Sequence, residues 1–342
     1  MTDVESKMKI CIYGAGAIGG TLGARLALSG NQVSVVARGA HLDAIRAKGL
    51  TLLHGDERHT VRVPASNNAA DLGHQDVVIV ALKGHSLPAA VQGIGPLLGP
   101  DTAVMTAMNG IPWWFFDGWG GALQGTSLKA CDPDGGIARA IAQARVIGGV
   151  VFLAADVPEP GVVRWNSGGR VIVGEPSNQP SARVEILSKA LVGAGFEAVA
   201  SNNIRRDIWM KLLGNICFNP VSVLTGVSSD LMLDDAHMAR LFTAMMMEAL
   251  GIGNALGLDL AVKPEERMAQ ARKLGAIKTS MLQDIEAGRP IELDSIVGSA
   301  VEIAALLKLE TPFINAVFGA VRMRAAALGL YVAQPASNAK LS

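Results

Sequence analysis

The run Lys9-Ile10-Cys11-Ile12-Tyr13 followed by Gly14-Ala15-Gly16-Ala17-Ile18-Gly19 constrains this chain more than any other feature. The apolar run is a strand candidate over Lys9–Tyr13. The glycine pattern GxGxxG opens a helix predicted from about Ala17 to Ser29, and Gly30-Asn31 ends it. A second apolar strand, Gln32–Ala37, follows about a dozen residues after Gly19. Strand, glycine turn, helix and strand together make a βαβ unit. In that context Gly14 permits the tight turn. Gly16 lets the backbone approach a pyrophosphate, and Gly19 lets the helix lie close on the sheet. The helix N-terminus offers N–H donors and partial positive charge to phosphate. The spacing therefore points to a dinucleotide-binding Rossmann-type domain.

The end of the second strand narrows the dinucleotide. Where an NAD site usually places an acid, this chain reads Val36-Ala37-Arg38-Gly39. A guanidinium there can pair with a 2′-phosphate, which favours NADP(H) over NAD(H). Lys83, after the apolar run Asp76–Ala81, is a further candidate for the cofactor, with a surface lysine as the plain alternative. Further strands are predicted at Ala103–Ala107, Arg145–Leu153, Arg170–Val173 and Glu197–Val199, with a helix over Gln179–Ala194. Alternating strands and helices imply an α/β, doubly wound, mainly parallel sheet.

From Arg205 the periodicity becomes helical. Helices are predicted at Asp207–Leu224, Asp235–Leu256, Pro264–Ala287, Glu292–Leu307 and Thr311–Leu328. The expected organisation is a dinucleotide-binding domain over residues 1–204, an all-helical substrate and catalytic domain over 205–333, and a loose tail over 334–342. Balanced charge, with 30 Lys+Arg against 30 Asp+Glu, gives no support to nucleic-acid binding. No apolar stretch of about 18 residues is uninterrupted, so no membrane span is expected. The best candidate, Leu241–Leu258, carries Glu248 and Asn254. Cys11, Cys131 and Cys217 are scattered without a CxxC, so neither a disulfide nor a zinc site is expected. His41, His54, His59, His74, His85 and His237 form no metal-ligand spacing and read as surface or loop residues. A cytoplasmic protein without a secretory signal is expected. The apolar content, 50% hydrophobic with 18% charged, together with the Met- and Ala-rich helix, suggests a homodimer.

The stretch KLLGNICFNP carries Lys211, Asn215 and Asn219 at i, i+4 and i+8. On a helix these form one polar stripe among Leu212, Leu213, Ile216 and Phe218. Such a stripe faces either solvent or a ligand. Pro220 is expected to disturb the helix near Asn219.

Together, GAGAIGG, Arg38, Lys83, Met108-Asn109-Gly110, KLLGNICFN, Ser280-Met281-Leu282-Gln283-Asp284 and Ile291-Glu292-Leu293-Asp294 resemble the ketopantoate reductase (2-dehydropantoate 2-reductase) family over about residues 8–330. The resemblance implies NADPH-dependent reduction of a 2-oxo acid, ketopantoate by default, to the 2-hydroxy acid in pantothenate biosynthesis. It implies Lys211 as general acid, with Asn215 and Asn219 on substrate oxygens. Asn109 would touch cofactor and substrate, Lys83 the cofactor, and Ser280 the substrate carboxylate. Glu292 would contact the cofactor ribose and organise the lysine. A protonated lysine suits the chemistry, because charge grows on the carbonyl oxygen as hydride reaches C2. No metal is implied.

The chain departs from the family in three places. Ile277 and Ser229 stand where amides are expected, and the loop after Asn109 is the aromatic run Trp113-Trp114-Phe115-Phe116. That loop reads as a local aromatic core, an interface patch or a wall for a bulkier or aromatic 2-oxo acid. A dinucleotide-binding sensor without turnover is the remaining alternative.

Overall fold

The computed structural model describes residues 7–331, so the tail expected to be loose lies outside the described residues. The chain divides into two compact units. One comprises residues up to Met108 together with Gly136–Asp207; the other comprises Asn109–Gly135 and everything from Ile208.

The first unit follows the order β1 (Lys9–Tyr13), α1 (Ala17–Leu28), β2 (Gln32–Val36), α2 (Gly39–Lys48), β3 (Leu50–His54), β4 (Glu57–Val61), β5 (Ala65–Ser66), β6 (Gln75–Val80), α3 (Leu87–Ala90), β7 (Leu98–Thr106), α4 (Gly136–Ala140), β8 (Val146–Glu159), β9 (Val162–Gly174), α5 (Ala182–Gly193) and β10 (Glu197–Ala200). Its sheet runs β4-β3-β9-β8-β7-β6-β1-β2-β5, with β10 beside β9. The parallel centre pairs Ile10 with Val33 and Val77, and Ile12 with Val35 and Ile79. These side chains are buried, as the unbroken apolar runs of β1, β2 and β6 require of a sheet covered on both faces. Gly30, at φ +93°, closes α1 in the left-handed region.

The sheet is mainly parallel, with antiparallel pairs at β3–β4 and β8–β9. Neither α2 nor the β3–β4 hairpin stands out in the sequence. In α2 only Leu42 and Ile45 are buried, too few to mark a helix by periodicity. The pattern of β4 is mostly exposed polar residues.

The second unit holds most of α6 (Ile204–Thr225), then α7 (Ser229–Asp234), α8 (Ala236–Ala255), α9 (Pro264–Arg272), α10 (Ser280–Glu286), α11 (Ser299–Leu306) and α12 (Pro312–Ala327). The division falls inside α6, between Asp207 and Ile208, ahead of the polar stripe. The sequence reading places one division at 204/205 and leaves 109–135 with the sheet. In the structure that segment, made of turns, belongs with the helices.

Its aromatic residues explain this. Trp114, Phe115 and Phe116 are fully buried, and Phe115 lies 6.1 Å from the Trp209 ring of α6. Burying each such ring contributes about 2–3 kcal/mol, so the loop is held by its own core. The Glu302 carboxylate accepts the N–H groups of Lys129 and Ala130, both at 2.9 Å. Trp209 Nε1 donates to the Ala249 carbonyl at 3.0 Å, joining α6 to α8. Glu248 accepts from Phe313 and Ile314 at the N-terminus of α12, where a carboxylate also meets the helix dipole.

Helix α6 runs on through Pro220 to Thr225, within one residue of the end expected at Leu224, but two other expectations need correction. A proline removes one donor from the ladder, which a well-packed helix can absorb. The single helix expected over Pro264–Ala287 is two, because Gly275 turns at φ +76° and Thr279 caps α10 through Leu282 N–H. The helix expected from Glu292 starts with a π-turn at Asp294–Gly298 before α11. Among the described residues no helix is long and apolar enough to cross a membrane.

Candidate functional site

In the first unit the glycine turn, Arg38 and Lys83 follow β1, β2 and β6, three adjacent parallel strands. They therefore lie at the carboxyl ends of those strands. The chain order reverses between β1 and β6, which is where dinucleotides bind in such sheets.

The turn is shaped for a close ligand. A Cβ on Gly14 would meet Leu82 at 2.6 Å, and one on Gly19 would meet the Gly14 carbonyl at 2.1 Å. Beyond Gly16 the space is open for 4 Å. The α1 N-terminus has no side-chain cap, which leaves the N–H groups of Ala17 and Ile18 to a ligand, while Ala15 N–H donates to the Val36 carbonyl at 3.3 Å. Arg38 is exposed and no acid stands beside it on the chain. Lys83 is half-buried at the start of the turn before α3. These features fit a dinucleotide with an added phosphate. A separate cleft of about 730 Å³ opens at the amino ends of β1, β2 and β6, among Lys9, Gln32 and Gln75. It lies at the wrong end of the strands for the cofactor.

His41 is the residue of this region that sequence reasoning missed. It sits in α2, half-buried rather than on a surface loop. Its Nε2 lies 2.7 Å from the Ala15 carbonyl, and its Nδ1 accepts from Gly161 N–H at 3.0 Å. The accepting Nδ1 fixes the proton on Nε2, which donates to the glycine turn. Burial holds the pKa of His41 below its ordinary value, consistent with a neutral ring. Its position three residues after Arg38 was the available signal.

In the second unit the polar stripe of α6 carries the site. Lys211 Nζ donates to Asn109 Oδ1 at 2.7 Å, across 102 residues of chain. Burial lowers the lysine pKa to about 8, opposed by the nearby Glu292 carboxylate. Glu292 is itself buried, just before the π-turn. Asn109 is held by its neighbour Gly110, at φ +85°, whose α-carbon presses on Ser295. A Cβ there would come to 2.1 Å from the Ser295 carbonyl. That carbonyl also accepts from Ile111 N–H at 2.9 Å.

Asn215 is half-buried and Asn219 is buried, on the same side of the helix as Lys211. The Asn219 carbonyl accepts from Ser222 Oγ at 2.7 Å, and Ser222 Oγ meets Thr279 Oγ1 at 2.6 Å. Thr279 caps α10, whose first residue, Ser280, presents an exposed hydroxyl. A chain of hydroxyls thus ties Ser280 to the stripe.

The departures noted in the sequence also meet. Ser229 N–H donates to the Ile277 carbonyl at 2.9 Å, and Ile277 N–H donates to Ser229 Oγ at 3.3 Å. The serine also donates to the Gly275 carbonyl at 3.1 Å. Where amide side chains were expected, this chain has a closed backbone tie. The aromatic run is mostly core of the helical unit. Among the described residues no group of three or more metal-ligating side chains is gathered.

The family model "Ketopantoate reductase PanE/ApbA" matches residues 10–112, and "Ketopantoate reductase PanE/ApbA C terminal" matches residues 203–325. A 2-dehydropantoate 2-reductase of Mesorhizobium japonicum is 47% identical over 325 residues, covering 95% of this chain and all of that protein. A solved structure from Ralstonia solanacearum MolK2, provisionally named a ketopantoate reductase, is 48% identical with a TM-score of 0.91. The match covers 95% of this chain and 100% of that one. A D-mandelate dehydrogenase solved with NADH and anilino(oxo)acetate shares the fold at 22% identity and a TM-score of 0.81, over 94% of this chain and 100% of that one.

Proposed function

Because this chain belongs to the ketopantoate reductase family, we propose that it reduces 2-dehydropantoate to pantoate with NADPH, the proton coming from Lys211. The carrying observation is the Lys211 Nζ to Asn109 Oδ1 hydrogen bond, beside Glu292, on a stripe with Asn215 and Asn219. A nicotinamide dinucleotide, when bound, supplies the hydride.

The chain's own residues do the rest. The Gly14–Gly19 turn and the α1 N-terminus hold the pyrophosphate, and Arg38 pairs with a 2′-phosphate. Lys83 contacts the cofactor. Asn109 keeps the lysine amine oriented and reaches cofactor and substrate. The Lys211 ammonium stabilises charge growing on the carbonyl oxygen and passes it a proton. Asn215 and Asn219 donate to substrate oxygens, and Ser280 donates to the carboxylate. Glu292 meets the cofactor ribose and favours the charged lysine, offsetting part of the cost of burial. The same reading expects a cytoplasmic homodimer, for which exposed Met247, Phe313 and Met323 offer apolar surface.

The test follows NADPH oxidation with ketopantoate, 2-oxoisovalerate, oxaloacetate and phenylpyruvate, with NADH as control. The expected result is fast turnover of ketopantoate with NADPH. The NADPH preference over NADH should be about tenfold or more, from the phosphate–guanidinium pair. Turnover of phenylpyruvate alone would overturn the substrate. Tight NADPH binding without oxidation of any acid would replace the reductase by a sensor.

The pH profile carries its own sign. The reacting lysine must be protonated, and its pKa is about 8. Reduction is therefore expected to be level at lower pH and to fall about tenfold per unit above pH 8. A rate still level at pH 9.5 would remove lysine protonation from the rate law.

A further inference from the structure

Arg267, on α9, is a charged group that none of these roles uses. Its Nη1 donates to Gln270 Oε1 at 2.6 Å. Its Nε is sealed from solvent without a hydrogen-bond partner. Its Nη2 lies against α6, where a Cβ on Gly214 would come to 3.5 Å. Gly214 follows Lys211 by three residues, which is about 60° round the helix and about 4.5 Å along it. The glycine leaves room for the guanidinium on the flank of the polar stripe.

No carboxylate of the described residues pairs with this arginine. Glu266, its neighbour in the chain, turns back to the N–H of Lys263 at 3.4 Å. Burial holds the Arg267 pKa below its ordinary value, opposed by the electrostatic influence of the buried Cys217 thiol. A half-buried guanidinium without a counter-charge is costly, and a planar carboxylate satisfies it best.

We propose that Arg267 is the charged anchor for the carboxylate of the 2-oxo acid. This rests on the reductase reading above and deepens it. The exposed Ser280 hydroxyl can donate one hydrogen bond to that carboxylate, whereas the guanidinium also neutralises its charge. The substrate class is thereby anionic: the free acid, not an ester or lactone of it.

The test is binding, so that it does not depend on turnover. Ketopantoate and its neutral internal ester, ketopantolactone, are titrated calorimetrically into NADP⁺-loaded wild-type, Arg267→Gln and Arg267→Lys proteins. The wild-type protein should prefer the acid. Arg267→Gln should weaken ketopantoate about 30-fold or more, as loss of a charge-assisted pair does, and change the lactone less than about threefold. Arg267→Lys should weaken the acid about fivefold, because charge remains and the fork is lost. An unchanged acid-to-lactone ratio in a folded Arg267→Gln protein overturns the proposal. So does a wild-type protein without preference for the acid. Should Arg267→Gln fail to fold, an unchanged ratio in Arg267→Lys overturns it equally. Preferential binding of the acid without NADPH oxidation would refute the reductase reading and leave the arginine's role standing.

Discussion

Lys211→Ala is expected to lower kcat for ketopantoate about 10³-fold or more, with NADPH affinity within about twofold of wild type. Two functions vanish together in that variant. The ammonium no longer stabilises charge on the carbonyl oxygen, and no other acid takes its place on the stripe. Asn109 loses the donor it accepts from at 2.7 Å, but Asn109 belongs to the helical unit and the glycine turn to the other. Cofactor binding measured by fluorescence should therefore survive. Lys211→Arg provides the comparison. It keeps positive charge, yet its proton is held too tightly for transfer near neutral pH. Its kcat should lie within about tenfold of the alanine variant. Near-normal turnover in either protein would take the lysine out of the chemistry.

Gly110→Ala is expected to be the most damaging single methyl group in the helical unit. The residue sits at φ +85°, and the new Cβ would lie 2.1 Å from the Ser295 carbonyl oxygen and 2.5 Å from its carbon. Both atoms are backbone, and the carbonyl is engaged by Ile111 N–H, so nothing nearby yields cheaply. The cost should be about 3 kcal/mol or more, read as a fall of about 5–10 °C in Tm. Activity should fall with it, since Asn109 moves with its neighbour. Gly39→Ala is the control: it has φ +56° but nothing within 4 Å of the new methyl. It should cost only about 1–2 kcal/mol. Equal losses in the two proteins would show that backbone angle, not the Ser295 contact, governs Gly110.

The parts of this molecule that the sequence made legible are local. The apolar run Lys9–Tyr13, its glycine turn, α1 and the strand from Gln32 announce themselves within about thirty residues, because strand and helix periods differ and glycine marks the turn. The polar stripe of α6 is legible for the same reason. What escaped depends on partners distant in sequence. His41 looks unremarkable until the Ala15 carbonyl and the Gly161 N–H stand on either side of it. Arg267 reads as one of several charges on a polar helix until Gly214 is beneath it. The aromatic run was visible in composition, but its burial against Trp209 depends on a helix some ninety residues later. Pro220 did not hide the reach of α6, because the propensity of one residue is a weak prior against a helix packed along its length.

The excursion of residues 109–135 has a consequence for how this chain is made. The helical unit is not a continuous piece of polypeptide. It borrows a segment that is synthesised before α4, β8, β9, α5 and β10, and must wait for Ile208 and beyond to arrive. Until then Trp114, Phe115 and Phe116 have no core to enter, and they are an apolar liability on the nascent chain. A fragment starting at residue 208 would lack both this aromatic plug and Asn109. One ending at 207 would carry the plug unpaired. The two units are thus inseparable by any single cut, and the lysine acquires its asparagine only as a late, long-range closure of the whole chain.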